Sequence, residues 1–231
     1  MCGRYRLSRP KQILEEYFGS DCGEENWGPR YNIAPTQPVP VIRQSPKEPI
    51  RHLSLMRWGL IPSWAKDATG AAMMINARSE TANSKPAYRE PLKFRRCLIP
   101  ADGFYEWQKT GKYKQPYCFE VNHGQLFAFA GIWDSWKDPS GSWIRTCSIL
   151  TTTANAVTSP VHNRMPVILA PDSYDRWLDP GTDDASELLK PSDPGLMRCY
   201  PVGTRINQVA NDDAECARPV EAAQAQQQLF A

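Results

Sequence analysis

Several things are scarce or missing in this 231-residue chain, and each absence narrows what it can be. No CxxC pair occurs among its seven cysteines, which stand at positions 2, 22, 97, 118, 147, 199 and 216. Their odd number and wide spacing argue against a secreted disulfide framework and against a zinc site. Histidine is sparse too: His52, His123 and His162 lie far apart in sequence, so no metal is expected. There is no apolar run long enough to span a bilayer, and no basic, apolar, small-residue succession like a signal peptide, which leads to the expectation of a cytoplasmic protein without membrane contact. A strong charge excess is also lacking. The net charge is +2, with −3 on residues 211–231 and therefore +5 on the rest, a bias that permits a local anion-binding groove but is not that of a chromatin protein. Finally, no internal repeat and no clean linker divide the chain, whose length fits one large domain.

What is present reads mostly as strand. The runs VPVIRQ, RHLSLMRW, FYEWQK, PYCFEV, QLFAFAGI, IRTCSILTTT and MPVILA are short, β-branched or aromatic, and bounded by proline, glycine or polar residues. FYEWQKTGKYKQPYCFEV predicts a hairpin bending at Gly111. Ser8 followed by RPKQILEEYFG predicts an N-cap and a short helix stopped by Gly19, and PDSYDRWL and DDASELLK predict two more short helices. The expected fold is α+β, a single domain built round a mixed, largely antiparallel sheet with short helices. The domain is placed at 1–210, with 211–231 as a C-terminal tail, a frayed helix or disordered.

Chemistry concentrates at the start of the chain and in five stretches richer in polar groups and aromatics than a scaffold needs. Cys2 directly follows the initiator methionine, so removal of Met1 gives a terminal residue carrying both an α-amine and a thiol. The stretches are GPRYNIAPTQP, MRWGLIPSWAKD, INARSETA, ADGFYEWQK and VHNRMPVIL. Loops of this kind on a strand-rich scaffold commonly carry binding and catalytic groups. Taken singly, each polar residue has an ordinary explanation: Asn76 caps a turn, Arg78 pairs with Glu80, Glu106 points outward from a strand, His162 is a satisfied loop histidine.

Taken together, MCGRY, RYNIAP at 30–35, WGLIPSW at 58–64, INARSET at 75–81, PADGFYEW at 100–107 and HNRMPVIL at 162–169 resemble the SOS-response-associated peptidase (SRAP) family. The blocks keep the family's order over nearly the whole chain up to about residue 203, and several multi-residue blocks in fixed order are far more specific than one motif. The resemblance implies the SRAP fold and an abasic-site sensor that binds single-stranded DNA and becomes covalently attached to it, with lyase-like chemistry, during the DNA damage response. It implies no cofactor and no obligate protein partner; a monomer is the default, nucleoid-associated when bound to DNA.

The residue chemistry agrees with that role. The α-amine of Cys2 can condense with the aldehyde of a ring-opened abasic sugar, and the thiol of the same residue can then close a five-membered thiazolidine. A free α-amine titrates at about 7.7–8.0 and a lysine near 10.4, so the terminal amine is usefully uncharged at neutral pH. Ring closure is intramolecular, where effective molarities are high. By the resemblance, Glu106 is the acid/base, His162 a second proton shuttle, and Asn76 a hydrogen-bonding support for the reacting group. Arg4, Arg78 and Arg164 would meet phosphates, with Thr151 also on the DNA-binding surface, and Trp107 with Pro35 would pack on bases, joined by Trp58 or Trp64.

Three other readings use overlapping residues. The family's own name suggests a thiol peptidase with Cys2 as nucleophile and Glu106 and His162 as base, acting only to remove Met1 or more widely. Cys2-Gly3 also begins the amidotransferases that attack glutamine, although their glutamine-binding stretch is not found here. A reversible single-strand binding module would need the arginines and tryptophans but not the terminus.

Overall fold

The computed structural model describes residues 2–21, 23, 25–45 and 50–221. The chain runs β1 (Arg4–Leu7), α1 (Lys11–Phe18), β2 (Ser20–Asp21), β3 (Arg30–Ile33), β4 (Pro38–Gln44) and β5 (Arg51–Trp58). It continues through β6 (Asn76–Arg78), α2 (Ser79–Ala82), α3 (Pro86–Phe94), β7 (Arg96–Ala101), β8 (Gly103–Thr110), β9 (Tyr113–Val121), β10 (Phe127–Lys137) and β11 (Trp143–Thr153). It closes with β12 (Arg164–Pro166), β13 (Ile168–Leu169), α4 (Tyr174–Leu178) and β14 (Met197–Pro201). The helices are short and the strands carry the fold, as α+β with a mixed sheet predicts.

Two sheets share the work. The first has five antiparallel strands in the order β14-β9-β8-β1-β3. In the second, β11, β10, β7, β4 and β5 pair antiparallel in succession. β5 then returns to β11 in parallel at Arg57–Thr146 and Trp58–Cys147, so these five strands close into a ring. Alternation along each strand puts Val39, Val41, Met56, Trp58, Ile99, Phe129 and Cys147 on the same side of that ring, all buried. α4 and the 59–75 segment cover the other side: Arg96 Nε donates to Trp177 O at 2.7 Å, and Thr146 Oγ1 accepts from Ile61 N–H at 2.9 Å. Tyr5 from the first sheet seals one end, edge-on to Trp58 and Phe129 with ring centroids 5.3 and 5.7 Å away.

Local expectations fared unevenly. The hairpin is as read: Gly111 sits at φ +63° in the two-residue connection after Thr110, whose partner is Tyr113. Gly19 ends α1 in the left-handed region. Ser8, however, is not its cap; α1 starts after Pro10, and the Ser8 N–H and hydroxyl both donate to Asp102 Oδ2 at 2.7 Å. PDSYDRWL yields one 3₁₀ turn and the five-residue α4, while in DDASELLK only Ser186–Leu188 turns, as 3₁₀. MPVILA divides at Val167 into β12 and β13.

Residues 211–221, assigned by sequence to the tail, are held to the body where they are described. Asp212 Oδ1 accepts the backbone N–H of Tyr31 and Asn32 at 2.5 and 2.7 Å, and Cys216 is buried. Residues 222–231 lie outside the described residues. No described helix is long and apolar enough to cross a membrane.

Candidate functional site

Cys2 lies just ahead of β1 and is completely buried. Asn76, the first residue of β6, reaches it: Nδ2 donates to the Cys2 carbonyl at 2.8 Å. Asn76 is placed from several directions. β11 pairs with it at Ile149, Tyr88 O–H of α3 donates to its carbonyl at 3.4 Å, and Trp58 Nε1 donates to Ile75 O at 2.9 Å. Its other amide atom, Oδ1, is buried and makes no hydrogen bond among the described residues, an expensive arrangement for a polar atom.

Glu106 approaches from β8, which pairs with β1 through Tyr105–Arg4. Its side chain is buried and not outward-facing. Burial pushes the Cys2 thiol well above its ordinary range, and the nearby Glu106 carboxylate pushes it further the same way. The thiol also points to Arg4 O, 3.9 Å from Sγ. Cys2, Asn76 and Glu106, named from sequence, therefore form one buried cluster where the two sheets meet.

A second group surrounds Arg4. Its Nη1 donates to Asn32 Oδ1 and Ile206 O, both at 2.7 Å, and its guanidinium lies 6.0 Å from the Trp107 ring centroid. Trp107 is partly exposed and its Nε1 donates to Asn207 Oδ1 at 2.8 Å. Asn32, fully buried, spends Nδ2 on three carbonyls: Ile206, Gln208 and Asn211. Neither Asn32 nor Asn207 was singled out from sequence. Asn32 was visible within RYNIAP, but its importance comes from partners more than 170 positions away.

The third group holds the remaining arginines. Arg164 forms a bidentate pair with Glu80, Nη1–Oε1 2.6 Å and Nη2–Oε2 2.9 Å, and Nη2 also donates to Thr151 O at 2.6 Å. Thr151 is buried, and its register partner in β6 is Arg78, which is exposed. Glu80 is thus matched with Arg164 and not, as sequence proximity suggested, with Arg78. His162 Nδ1 lies 3.0 Å from the Arg164 backbone nitrogen and 3.2 Å from the Arg164 carbonyl oxygen, so its ring is held against that backbone.

Pro35 is partly exposed in the turn after β3, next to Thr36 at φ +72°, a rare setting for a β-branched residue. Of the two further tryptophans considered for base packing, Trp58 is fully buried against Tyr5 and is thereby excluded, whereas Trp64 is 66% exposed. Among the described residues, no group of three or more His, Cys, Asp or Glu side chains could hold a metal ion.

Comparison with known proteins places this arrangement among others. A family model described as SOS response associated peptidase (SRAP) matches residues 1–209. The abasic site processing protein YoqW of Bacillus subtilis is 40% identical over 221 residues, covering 93% of this chain and 98% of its own. The abasic site processing protein HMCES of Gallus gallus is 36% identical, covering 86% of this chain and 68% of its own. A crystal structure of a Bacteroides thetaiotaomicron protein superposes with a TM-score of 0.87 at 29% identity, over 95% of this chain and 100% of its own.

Proposed function

Since the chain belongs to the SOS response associated peptidase family, we propose that it captures abasic sites in single-stranded DNA as a covalent thiazolidine on Cys2, acting as a cytoplasmic monomer after Met1 is removed. The observation that carries this reading is the Asn76–Cys2 hydrogen bond, which fixes the residue that becomes the terminus in a buried seat beside Glu106.

The chemistry proceeds in two steps. The Cys2 amine adds to the sugar aldehyde and Glu106 takes the proton that the adding nitrogen gives up; Glu106 then returns it to the carbinolamine hydroxyl, which leaves as water, and the remaining N–H proton passes back to Glu106 to give the imine. The thiol then adds across the C=N bond, its sulfur to carbon and its proton to nitrogen, closing the ring. A thiol kept protonated by burial and by Glu106 suits this order, with the amine acting first. The same electrostatics oppose a resting thiolate, so the peptidase and amidotransferase readings, which need sulfur as the first nucleophile, draw less support. Arg78 and Arg164 would meet phosphates, with Thr151 steadying Arg164. Trp107 and Pro35 would cover the neighbouring bases, Arg4 holding Trp107 in place and reaching the strand from beside it.

The test is a denaturing gel after incubation with a single-stranded oligonucleotide bearing one abasic site. A band that survives denaturation is expected from the mature protein, and none from Cys2→Ala or from a version with one extra residue ahead of Cys2. Survival of that band in either altered protein would sink the proposal. Glu106→Gln should slow capture about 100-fold while leaving reversible DNA binding nearly intact, since a positioned acid/base contributes on this order.

A further inference from the structure

At the end of the strand ring away from Tyr5, where β4 finishes and β7 begins, a cavity of about 290 Å³ is lined by Arg43, Lys93, Phe94, Arg95, Arg96 and Trp133 together with neutral residues. Four cations and no carboxylate line it. Two of the four have partners. Arg96 is buried and spends its guanidinium on main-chain carbonyls, those of Trp177 and Thr182 at 2.7 and 3.0 Å among them. Arg95 meets Asp134 from outside the lining, at 3.3 Å.

Arg43 and Lys93 make no ion pair among the described residues and rest on aromatic faces. Arg43 stands 5.3 Å from the Trp133 centroid and Lys93 5.0 Å from that of Phe94. A guanidinium stacked on a ring keeps its edge N–H groups for an anion it can grip through two oxygens. Arg43 Nε is buried with no hydrogen-bond partner among the described residues. Strand alternation also puts Arg145 of β11 on the same side of the ring as Arg43, and the two guanidiniums repel; burial and this like charge both lower the Arg43 pKa. Arg43 and Lys93 are thus the two cations of the lining without an ion pair among the described residues, and an anionic ligand would supply one.

We propose that this mouth is a second binding site, for a nucleoside phosphate unit: its phosphate between Arg43 and Lys93, its base on Phe94, which is 54% exposed. The unit is either a free mononucleotide or one residue of a single strand; the cavity sits at the small end of ligand pockets, which suits a single nucleotide. The site does not depend on Cys2. Arg145 lies four residues along β11 from Ile149, the partner of Asn76, or about 13 Å at the usual rise per residue. A nucleotide held here is therefore well removed from the buried terminus.

The experiment follows the Trp133 indole N–H and Arg43 Nε–H signals by NMR as inorganic phosphate, dAMP or an oligothymidine without any abasic site is added to the full chain. Both signals are expected to move saturably with dAMP, and Arg43→Gln combined with Lys93→Gln should weaken that affinity at least tenfold. A shift with dAMP identifies the free nucleotide as sufficient; a shift with oligothymidine alone assigns the site to a strand. No movement with either, or equal affinity for inorganic phosphate and dAMP, would overturn the proposal. The wild-type titration decides this even if the double variant fails to fold. Covalent capture of a short abasic oligonucleotide should be unchanged by Phe94→Ser, which separates this site from Cys2 chemistry.

Discussion

Arg164 and Glu80 hold each other through two parallel hydrogen bonds, so the arginine best aligned with the loop carrying His162 is already engaged before any phosphate arrives. Glu80 is half-exposed, and the pair is open to competition from a second anion. Glu80→Gln removes the competitor's charge. It should tighten binding of unmodified single-stranded DNA by about threefold at low salt, with less effect once salt screens the phosphates, as fluorescence anisotropy would measure. Arg164→Ala should weaken the same binding, and an affinity unchanged in both variants would remove Arg164 from the DNA surface.

Asn76 offers a sharper contrast. Asn76→Asp replaces the N–H₂ that holds the Cys2 carbonyl with an acceptor oxygen, setting oxygen against oxygen. Capture of an abasic oligonucleotide should slow by about 100-fold, the scale on which small misplacements of reacting groups act. The melting temperature should fall by the equivalent of only about 1–3 kcal/mol, the cost of one buried hydrogen bond.

Stability should depend on pH through Glu120. Burial alone would raise this carboxyl's pKa, but hydrogen bonds from Tyr200 and Arg198 and the charge of Arg6 outweigh it, and the net shift is downward. A carboxyl depressed in the folded state contributes stability that is full above its unfolded pKa, about 4.3, and is lost as pH falls through the lower folded value. Thermal melts should therefore show an acid loss that Glu120→Gln flattens. At neutral pH that variant should be less stable by about 3 kcal/mol, because Arg6 and Arg198 lose a buried partner.

Thr36 is a β-branched residue at φ +72°, immediately after Pro35. Thr36→Gly relieves backbone strain of about 1–3 kcal/mol and should raise the melting temperature. If the strained turn serves to present Pro35, the same variant should bind single-stranded DNA less tightly despite being more stable.

The strands were legible where a run of β-branched and aromatic residues was continuous, and the Gly111 turn where two-residue hairpin chemistry is strict. β7 was not, because Pro100 interrupts RCLIPA; yet the strand is buried throughout, and Pro100 is tolerated opposite Ala128. Ser8 looked like a cap because local sequence cannot reveal that Asp102, 94 positions away, takes both of its donors. The site shows the same division. Cys2, Asn76 and Glu106, expected from ordered blocks of sequence, do lie together, whereas the contacts of Asn32 and Asn207 are ones that only the fold creates.

The bond between Asn76 and Cys2 spans 74 positions, and Asn76 is itself held by β11, which forms only from residues 143–153. During synthesis the amino-terminal residues emerge first, while the strand that completes their seat emerges well over a hundred residues later. The seat of Cys2 therefore closes only when most of the chain is present, and long-range pairing of this kind is a slow step in folding.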